Sequence, residues 1–277
     1  MQMDEGRYIT TGSFRTHYYE VGTGEPVILI HGGGAGADGW SNWMTGSADI
    51  FGQRMRAIVP DLVGFGRSDK PDPAAFTYDQ DTRNQQLIDF IEALELERVN
   101  LIGNSMGGAT ALGVTMERPD LVANLVLMGS AGYSNTVSPE LSTIVNYDFT
   151  PEGMRQVVSA LTNPDYRASD AQIDYRYQAS IDPATREAYA ATMAWVRDVG
   201  MAYPHDEIAK IKTRTLVVNG KDDKVCPPDF AYGILQLIED STGIFLPRCG
   251  HWAMIEHPEL FARLTLDFLL PSQDTAA

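Results

Sequence analysis

One short glycine-rich segment of the chain holds a serine in a setting suited to covalent chemistry. Ser105 stands in GNSMG, residues 103–107. The segment follows the apolar run 99–102, which predicts a buried strand, and precedes a helical pattern over 109–118. A strand, a tight G-x-S-x-G turn and a helix form a nucleophile elbow, which lifts a serine hydroxyl above a sheet. Because a turn that merely starts a helix can show the same pattern, the serine needs partners elsewhere in the sequence.

A histidine and an aspartate downstream supply those partners. A serine hydroxyl is a weak nucleophile, so it needs an adjacent base that a third group orients. His251 and Asp223 each follow an apolar strand pattern, in the chain order serine, acid, histidine that such elbows use. We therefore predict Ser105 as nucleophile, His251 as base and then acid, and Asp223 as the orienting residue. Asp222 competes with Asp223 for the last role.

A glycine-rich loop after a third strand pattern could supply backbone donors. HGGGAG, residues 31–36, follows the apolar run 26–30. Attack on a carbonyl creates an oxyanion that preorganised N–H groups stabilise, and we assign these donors to Gly33 and Met106. The loop lacks the Gly-Lys-Ser/Thr of a phosphate loop and the spacing of a dinucleotide site. His31 is expected to hold the loop in place rather than to react.

Composition and charge exclude several classes of protein. The chain has 277 residues, of which 44% are hydrophobic and 21% charged, as in globular proteins. Its formal charge of −16 argues against nucleic acid as a partner. We expect no membrane helix, since no apolar run approaches about 18 residues, and no signal peptide in the acidic residues 1–6. Cys226 and Cys249 fit reduced thiols, so we expect a cytoplasmic protein without metal or cofactor.

Strand and helix patterns alternate along most of the chain, which predicts an α/β fold with a mostly parallel, eight-stranded sheet between helices. The strand patterns cover 7–10, 14–21, 27–30, 55–59, 99–102, 125–128, 216–219 and 244–246. Between 133 and 205 the strand signal vanishes, and helical patterns cover 151–161, 170–180 and 183–199. We therefore predict a core domain of residues 1–132 and 206–277 with an inserted helical lid subdomain at 133–205.

The motifs together resemble those of one family. The segments 31–36, 39–43 (GWSNW), 103–112 (GNSMGGATAL), 220–227 and 250–253 (GHWA) are similar to those of the meta-cleavage-product hydrolases. These are serine-dependent carbon–carbon bond hydrolases of the α/β-hydrolase superfamily that act in bacterial degradation of aromatic compounds. The resemblance covers nearly the whole chain and is strongest to the dibenzofuran (dioxin) and carbazole pathway hydrolases. Ala35 and Cys226 depart from it, because many relatives have proline and valine there.

The resemblance implies a reaction and a substrate site. The reaction is hydrolysis of the C5–C6 bond of 2-hydroxy-6-oxo-6-aryl-hexa-2,4-dienoates, giving 2-hydroxypenta-2,4-dienoate and an aromatic acid. The family's histidine is implicated in ketonisation of the dienol, so His251 would act before Ser105 attacks C6. For the dienoate end of this small-molecule substrate the resemblance implies the residues Arg176, Asn42, Asn104, Gly32 and Trp252. It also implies a homo-oligomer, a dimer or larger.

Alternatives remain open at this point. Without the resemblance, Arg176 would be interpreted as a helix-surface arginine paired with Asp174 or Asp170. A carboxylesterase or thioesterase could use the same three catalytic residues, and a non-enzymatic ligand receptor on this fold could retain them. The pocket for the C6 group is expected to include Leu161, Trp195 and Val225.

Overall fold

The strand patterns form one sheet in a computed structural model, which describes residues 5–270. Within that range the sheet has eight strands: β1 Arg7–Thr11, β2 Phe14–Val21, β3 Pro26–Ile30, β4 Arg56–Pro60, β5 Val99–Asn104, β6 Val122–Met128, β7 Thr215–Gly220 and β8 Ser241–Leu246. The prediction that residues 1–6 are no signal peptide rests largely on residues 1–4, which lie outside the described residues. The last part of the predicted core, 271–277, also lies outside them.

The order of the strands brings the loops that carry the candidate catalytic residues to one edge of the sheet. The order is β1-β2-β4-β3-β5-β6-β7-β8, in which β2 runs antiparallel to β1 and β4 and the other neighbours are parallel. The central strands β3, β5 and β7 are almost entirely buried, as expected for a parallel sheet covered on both faces. The predicted α/β-hydrolase fold is confirmed, and the loops after β3, β5, β7 and β8 meet at the carboxyl edge.

The helices pack around this sheet and also form an insertion. In the described residues they are α1 Ala48–Gly52, α2 Gln80–Ala93, α3 Met106–Glu117, α4 Pro139–Val145, α5 Pro151–Leu161, α6 Asp170–Ile181, α7 Pro183–Asp198, α8 His205–Ile208, α9 Pro228–Leu237, α10 Ala253–Glu256 and α11 Pro258–Leu269. A π-helical turn covers Trp40–Met44 and a 3₁₀ turn covers Pro119–Leu121. Among residues 5–270, none of the helices combines the length and apolarity needed to cross a membrane.

The insertion between β6 and β7 is helical because each of its long helices begins at a capping side chain. Ser138, Thr150, Ser169 and Asp182 precede α4, α5, α6 and α7, and each side chain accepts a hydrogen bond from a backbone N–H of the first turn. Such caps satisfy donors that the helix itself cannot, at about 1 kcal/mol each. Helix α4 was not among the helices predicted from the sequence. We call α4 to α7 the helical insertion.

Candidate active site

Ser105 occupies a strained turn between β5 and α3. Its backbone has φ 55° and ψ −120°, a conformation that residues other than glycine rarely adopt. The turn is tight, since a Cβ atom at Gly107 would lie 2.6 Å from the carbonyl oxygen of Ile30. Ser105 is partly exposed, whereas Asn104 and Met106 on either side of it are buried. The turn therefore presents the serine above the sheet, as the sequence predicts for an elbow.

His251 and Asp223 form a buried hydrogen-bonded pair beside this turn. The distance from His251 Nδ1 to Asp223 Oδ2 is 2.8 Å. The other carboxylate oxygen accepts hydrogen bonds from the backbone N–H groups of Val225 and Cys226, both at 2.9 Å. With both carboxylate oxygens acting as acceptors, Nδ1 is the nitrogen that carries the proton. The competing Asp222 is exposed.

The second ring nitrogen of His251 has no hydrogen-bond partner. Its Nε2 is buried and makes no hydrogen bond with any group of residues 5–270. The backbone of the same residue is held on two sides, because its N–H donates to Leu161 O at 3.0 Å and its carbonyl accepts from Asn104 Nδ2 at 3.4 Å. Since Asn104 immediately precedes Ser105, these contacts bring the histidine to the elbow. Nε2 is thus available to accept a proton.

The glycine loop lies directly against the elbow. A Cβ atom at Gly32 would lie 3.1 Å from Ser105 Cβ, and one at Gly33 would lie 2.7 Å from Met106 Sδ. Glycine is needed at such close approaches. The N–H of Met106 is the first of α3 and has no partner within the helix, and that of Gly33 donates no hydrogen bond within the described residues. Both predicted oxyanion donors are therefore free.

His31 fixes the start of this loop. Its Nδ1 donates to Gly32 O at 2.7 Å, while its Nε2 accepts from the N–H of Leu62 at 2.9 Å. This pair of bonds requires the neutral ring with its proton on Nδ1. Burial lowers the pKa of His31, which agrees with that form. The side chain is occupied on both nitrogens and has no free nitrogen for proton transfer.

Arg176 reaches from α6 into the core and is only 1% exposed, so the surface alternative for this residue is wrong. Nη1 donates to Ser41 Oγ and Asn42 Oδ1, both at 3.3 Å, and Nη2 donates to Ala35 O at 3.0 Å. The guanidinium lies 4.7 Å from the centre of the buried Trp252 ring. Burial lowers its pKa to about 10, so the group is still a cation at neutral pH.

The hydrogen bonds of this cation leave room for an anion. Its partners are neutral oxygens, and Nε donates to no group of residues 5–270. Burying a charge costs free energy unless the charge is paired. Nη2 of Arg176 lies 3.2 Å from the position of a Cβ at Gly34, a residue that also lines the cavity in front of Ser105. Arg176 is therefore a candidate anion site beside the elbow.

The cavity in front of Ser105 is small and mostly apolar. Its volume is about 30 Å³. Ser105, Met106 and the glycine loop form one wall, and apolar side chains form the other, including Leu141, Ile144, Leu161, Met193, Val196 and Val225. Of the three residues expected here, Trp195 is misplaced, because its ring lies over Arg83 at 5.3 Å instead. Helix periodicity alone does not show which neighbour a helix face meets.

Two contacts near the loop, one buried and one partly buried, were not predicted from the sequence. His17 Nδ1 lies 2.8 Å from Asp61 Oδ2, and the Tyr175 hydroxyl donates to Asp38 Oδ2 at 2.6 Å. Both join residues that are far apart in sequence, and no motif marks them. Within residues 5–270, no group of three His, Cys, Asp or Glu side chains is arranged to hold a metal ion.

Comparisons with known proteins agree with this geometry. Residues 25–258 match the family model of the α/β hydrolase fold. The chain is 51% identical to the 2-hydroxy-6-oxo-6-(2'-aminophenyl)hexa-2,4-dienoic acid hydrolase of Metapseudomonas resinovorans, with 95% of this chain and 90% of the relative covered. It is 36% identical to the 2-hydroxy-6-oxo-2,4-heptadienoate hydrolase of Pseudomonas putida F1, with 95% and 96% covered.

Solved structures give the same relationship. A serine hydrolase involved in carbazole degradation superposes with a TM-score of 0.87 at 50% identity, covering 95% of this chain and 97% of that one. A meta-cleavage product hydrolase from Pseudomonas fluorescens IP01 superposes with a TM-score of 0.89 at 31% identity and the same coverage. The chain therefore belongs to the α/β-hydrolase family and, within it, to the meta-cleavage-product hydrolases.

Proposed function

We propose that this protein hydrolyses the C5–C6 bond of 2-hydroxy-6-oxo-6-aryl-hexa-2,4-dienoates, giving 2-hydroxypenta-2,4-dienoate and an aromatic acid. The observation that carries this proposal is Arg176, a buried cation with neutral partners beside the loop that faces Ser105. An esterase for neutral substrates does not need such a group, whereas the dienoate has a carboxylate that a guanidinium can hold through two hydrogen bonds. The names of the relatives support the same reaction.

The leaving group of this reaction is carbon, so it must first be made stable. In the ketonisation step the 2-hydroxyl group of the dienol loses a proton and C5 gains one, so the C1–C5 fragment can leave as an enolate stabilised by its new 2-oxo group when the C5–C6 bond breaks. We assign this proton transfer to His251, because its Nε2 is free while its Nδ1 is held by Asp223. Asn42 and Asn104 are assigned to the polar end of the substrate, together with Gly32 and Trp252.

Acyl transfer follows. Ser105 Oγ attacks the C6 carbonyl carbon as His251 takes the hydroxyl proton, and the N–H groups of Gly33 and Met106 stabilise the oxyanion. The C5–C6 bond then breaks, and its electron pair leaves with the dienoate fragment, whose enolate oxygen takes the proton from His251. The aromatic acyl group remains on the serine, and the histidine is neutral again. Water, deprotonated by the same histidine, releases the aromatic acid. Asp223 holds the imidazole in the required tautomer and stabilises the imidazolium.

The helical insertion is proposed to act as a lid, with the predicted lid boundaries at residues 133 and 205. A cavity of about 30 Å³ has room for water but not for an aryl dienoate, so its walls must move to admit the substrate. Met193 and Met201 on the insertion side are suited to this, because methionine side chains adapt their shape readily. The apolar wall would then receive the C6 aryl group.

A spectrophotometric assay tests the proposed function. The wild-type protein and Ser105→Ala are each mixed with the yellow 6-phenyl-2-hydroxy-6-oxo-hexa-2,4-dienoate, and benzoate is quantified. We expect repeated turnover with stoichiometric benzoate from the wild type, and a coloured complex with little product from the variant. A folded wild type that bleaches none of the phenyl, 2-aminophenyl and 2-hydroxyphenyl substrates would overturn the proposal in favour of an esterase, and product below one equivalent would favour a receptor.

Arg176→Ala separates the dienoate hydrolase from an esterase. Loss of charge-assisted hydrogen bonds predicts a 10- to 100-fold lower kcat/KM for the dienoate, at about 1.5–3 kcal/mol. The neutral ester p-nitrophenyl acetate should be hydrolysed at nearly the wild-type rate. Arg155→Ala, an exposed arginine on α5, is the matched control. Equal losses on both substrates would contradict the assignment of Arg176 to the carboxylate.

The assembly of the enzyme, its location and the C6 substituent of its substrate are proposed as well. The family it belongs to suggests a homo-oligomer, and the reduced cysteines and catabolic relatives suggest the cytoplasm as its location. The 51% identical relative is named for a 2'-aminophenyl substrate, which supports an aryl group at C6. A dibenzofuran-pathway substrate, with 2-hydroxyphenyl at C6, stays a prediction. Size-exclusion chromatography and a substrate series that includes a 6-methyl dienoate test these points.

A further inference from the structure

Asp38 is a buried carboxylate between the glycine loop and the helical insertion. One of its oxygens accepts a hydrogen bond from the Tyr175 hydroxyl of α6 at 2.6 Å. The other accepts from the backbone N–H of Ser41, in the π-helical turn, at 2.7 Å. Asp38 is 6% exposed, and its bond to the half-buried Tyr175 is partly shielded from water. The Asp38 side chain is thus one of the links between the insertion and the core.

Both ends of this bridge lie next to contacts of Arg176. Tyr175 precedes Arg176 on α6, and Ser41 Oγ is one of the oxygens to which the guanidinium donates. The backbones also touch, because a Cβ atom at Gly36 would overlap the carbonyl oxygen of Arg176, and Gly36 has a φ of 64°. Asp38 therefore contacts both α6 and the turn that carries one acceptor of the guanidinium.

The charges in this region suit a bridge rather than an ion pair. Burial and the nearby Asp38 carboxylate raise the pKa of Tyr175, so its hydroxyl remains a donor. Burial lowers the pKa of Arg176, and the negative charge of Asp38 opposes that effect from a distance. None of the guanidinium hydrogen bonds goes to Asp38. The carboxylate thus favours the cation without occupying the N–H groups that a ligand needs.

We propose that Asp38 and Tyr175 are positioning residues that fix the Arg176 guanidinium for the substrate carboxylate. The bridge holds α6 on the glycine loop, so the arginine meets the anionic end of the substrate in one orientation. This inference rests on the proposed function, because the ligand of Arg176 is the dienoate carboxylate. It adds a residue from the loop and a residue from the insertion to those that determine preference for anionic substrates.

Tyr175→Phe is the main test, because it removes one oxygen atom and keeps the ring. We expect KM for the 6-phenyl dienoate to rise about 10-fold, as for loss of one charge-assisted hydrogen bond, with a smaller change in kcat. Asp38→Asn should act in the same direction but more weakly, since its amide oxygen can still accept from Ser41 while its NH₂ group can only donate to the Tyr175 oxygen, in a bond without charge assistance. Tyr177→Phe is the control, because that hydroxyl makes no hydrogen bond with the described residues.

Two further readouts distinguish positioning from general packing. In the Ser105→Ala background, the dissociation constant of the intact 6-phenyl dienoate should rise by the same factor as KM when Tyr175→Phe is added. In the Arg176→Ala background, Tyr175→Phe should add no further loss, because its effect acts through the arginine. Hydrolysis of p-nitrophenyl acetate should stay within about twofold of the wild type in Tyr175→Phe.

Clear outcomes overturn the inference. An unchanged KM in Tyr175→Phe, additive losses with Arg176→Ala, or equal losses on the dienoate and the neutral ester would each do so. These results differ from a failure of the proposed function, in which the wild-type protein itself would not cleave the dienoate. If Asp38→Asn does not fold, the double-mutant cycle of Tyr175→Phe with Arg176→Ala still tests the proposal.

Discussion

Residues 5–270 contain two buried histidine–aspartate pairs with the same geometry and different surroundings. In His251–Asp223 and in His17–Asp61 the Nδ1 to Oδ2 distance is 2.8 Å, and all these side chains are at most 1% exposed. The pairs differ at the second ring nitrogen. His17 Nε2 is occupied by the carbonyl oxygen of Glu5 at 3.0 Å, whereas His251 Nε2 has no partner among the described residues. A histidine–aspartate pair can transfer protons to a substrate only if the second ring nitrogen of the histidine is free.

The two carboxylates each accept two backbone hydrogen bonds and one from a histidine, but the backbone donors of Asp61 come from two separate segments of the chain. Asp61 accepts backbone hydrogen bonds from Gly39 at 2.7 Å and from Arg67 at 2.9 Å, in addition to the one from His17. Although burial opposes ionisation, these bonds, first of all the one from His17, lower the pKa of Asp61. The pair therefore ties β2, the loop after β4 and the π-helical turn together. We propose that this pair serves stability and that the pair at the elbow serves the proposed reaction.

Replacement of the two histidines should give the largest contrast. His251→Gln removes the proposed base, so kcat for the 6-phenyl dienoate should fall by about 10⁵-fold or more. His17→Gln should keep kcat close to wild type, because the side chain does not reach the elbow. Initial rates at a temperature where both variants are folded check this. Similar losses in both variants would mean that the free nitrogen does not distinguish the pairs.

Asp223→Asn should have the next largest effect. Its amide oxygen can keep the bonds from Val225 and Cys226, but the NH₂ group would face His251 Nδ1 and drive the proton to Nε2. The histidine would then hold the wrong tautomer, and we expect kcat to fall by about 10⁴-fold without unfolding. Asp222→Asn is the matched control and should retain activity. An active Asp223→Asn would remove this aspartate from the proposed mechanism.

The equivalent change in the other pair should affect stability instead. Asp61→Asn turns an NH₂ group toward donors that need an acceptor, so the free energy of unfolding should fall by about 3 kcal/mol. Urea denaturation measures the loss, and dienoate turnover of the remaining folded protein should be nearly unchanged. A large loss of turnover at full folding would show that this pair also acts in catalysis.

The pH dependence of stability should show the smallest effect. Burial lowers the pKa of His31, so below about pH 6.5 the unfolded chain binds a proton that the folded chain does not. The free energy of unfolding should therefore fall as the pH decreases from 7.5 to 5.5. Glutamine can donate to Gly32 and accept from Leu62, so His31→Gln should weaken this dependence. Equal slopes in urea midpoints for wild type and variant would contradict it.

The sequence predicted the elements and loops that local motifs mark, but not the side-chain contacts between residues far apart in the chain. The elbow, the glycine loop and the histidine and aspartate loops each follow a strand, so strand order along the chain was enough to bring them together. The pairs His17–Asp61 and Tyr175–Asp38 join residues 44 and 137 positions apart, and their individual sequences carry no motif. Trp195 was misplaced because the side of a helix that meets a pocket depends on packing. The burial of Arg176 could not be predicted from helix periodicity either.

The end of α5 is hydrogen-bonded to the loop that carries His251, and these bonds limit how the insertion can be exchanged between relatives. Leu161 O accepts from His251 N–H, and the Glu256 carboxylate accepts from the N–H groups of Asn163 and Gly250, at 2.8 and 2.9 Å. An insertion transplanted from a relative to change substrate range would bring its own residues at positions 161 and 163, whereas His251, Gly250 and Glu256 would stay with the core. Because Leu161 and Asn163 contribute backbone atoms, such a chimera should work if the turn after α5 keeps its path and the core keeps a carboxylate at Glu256.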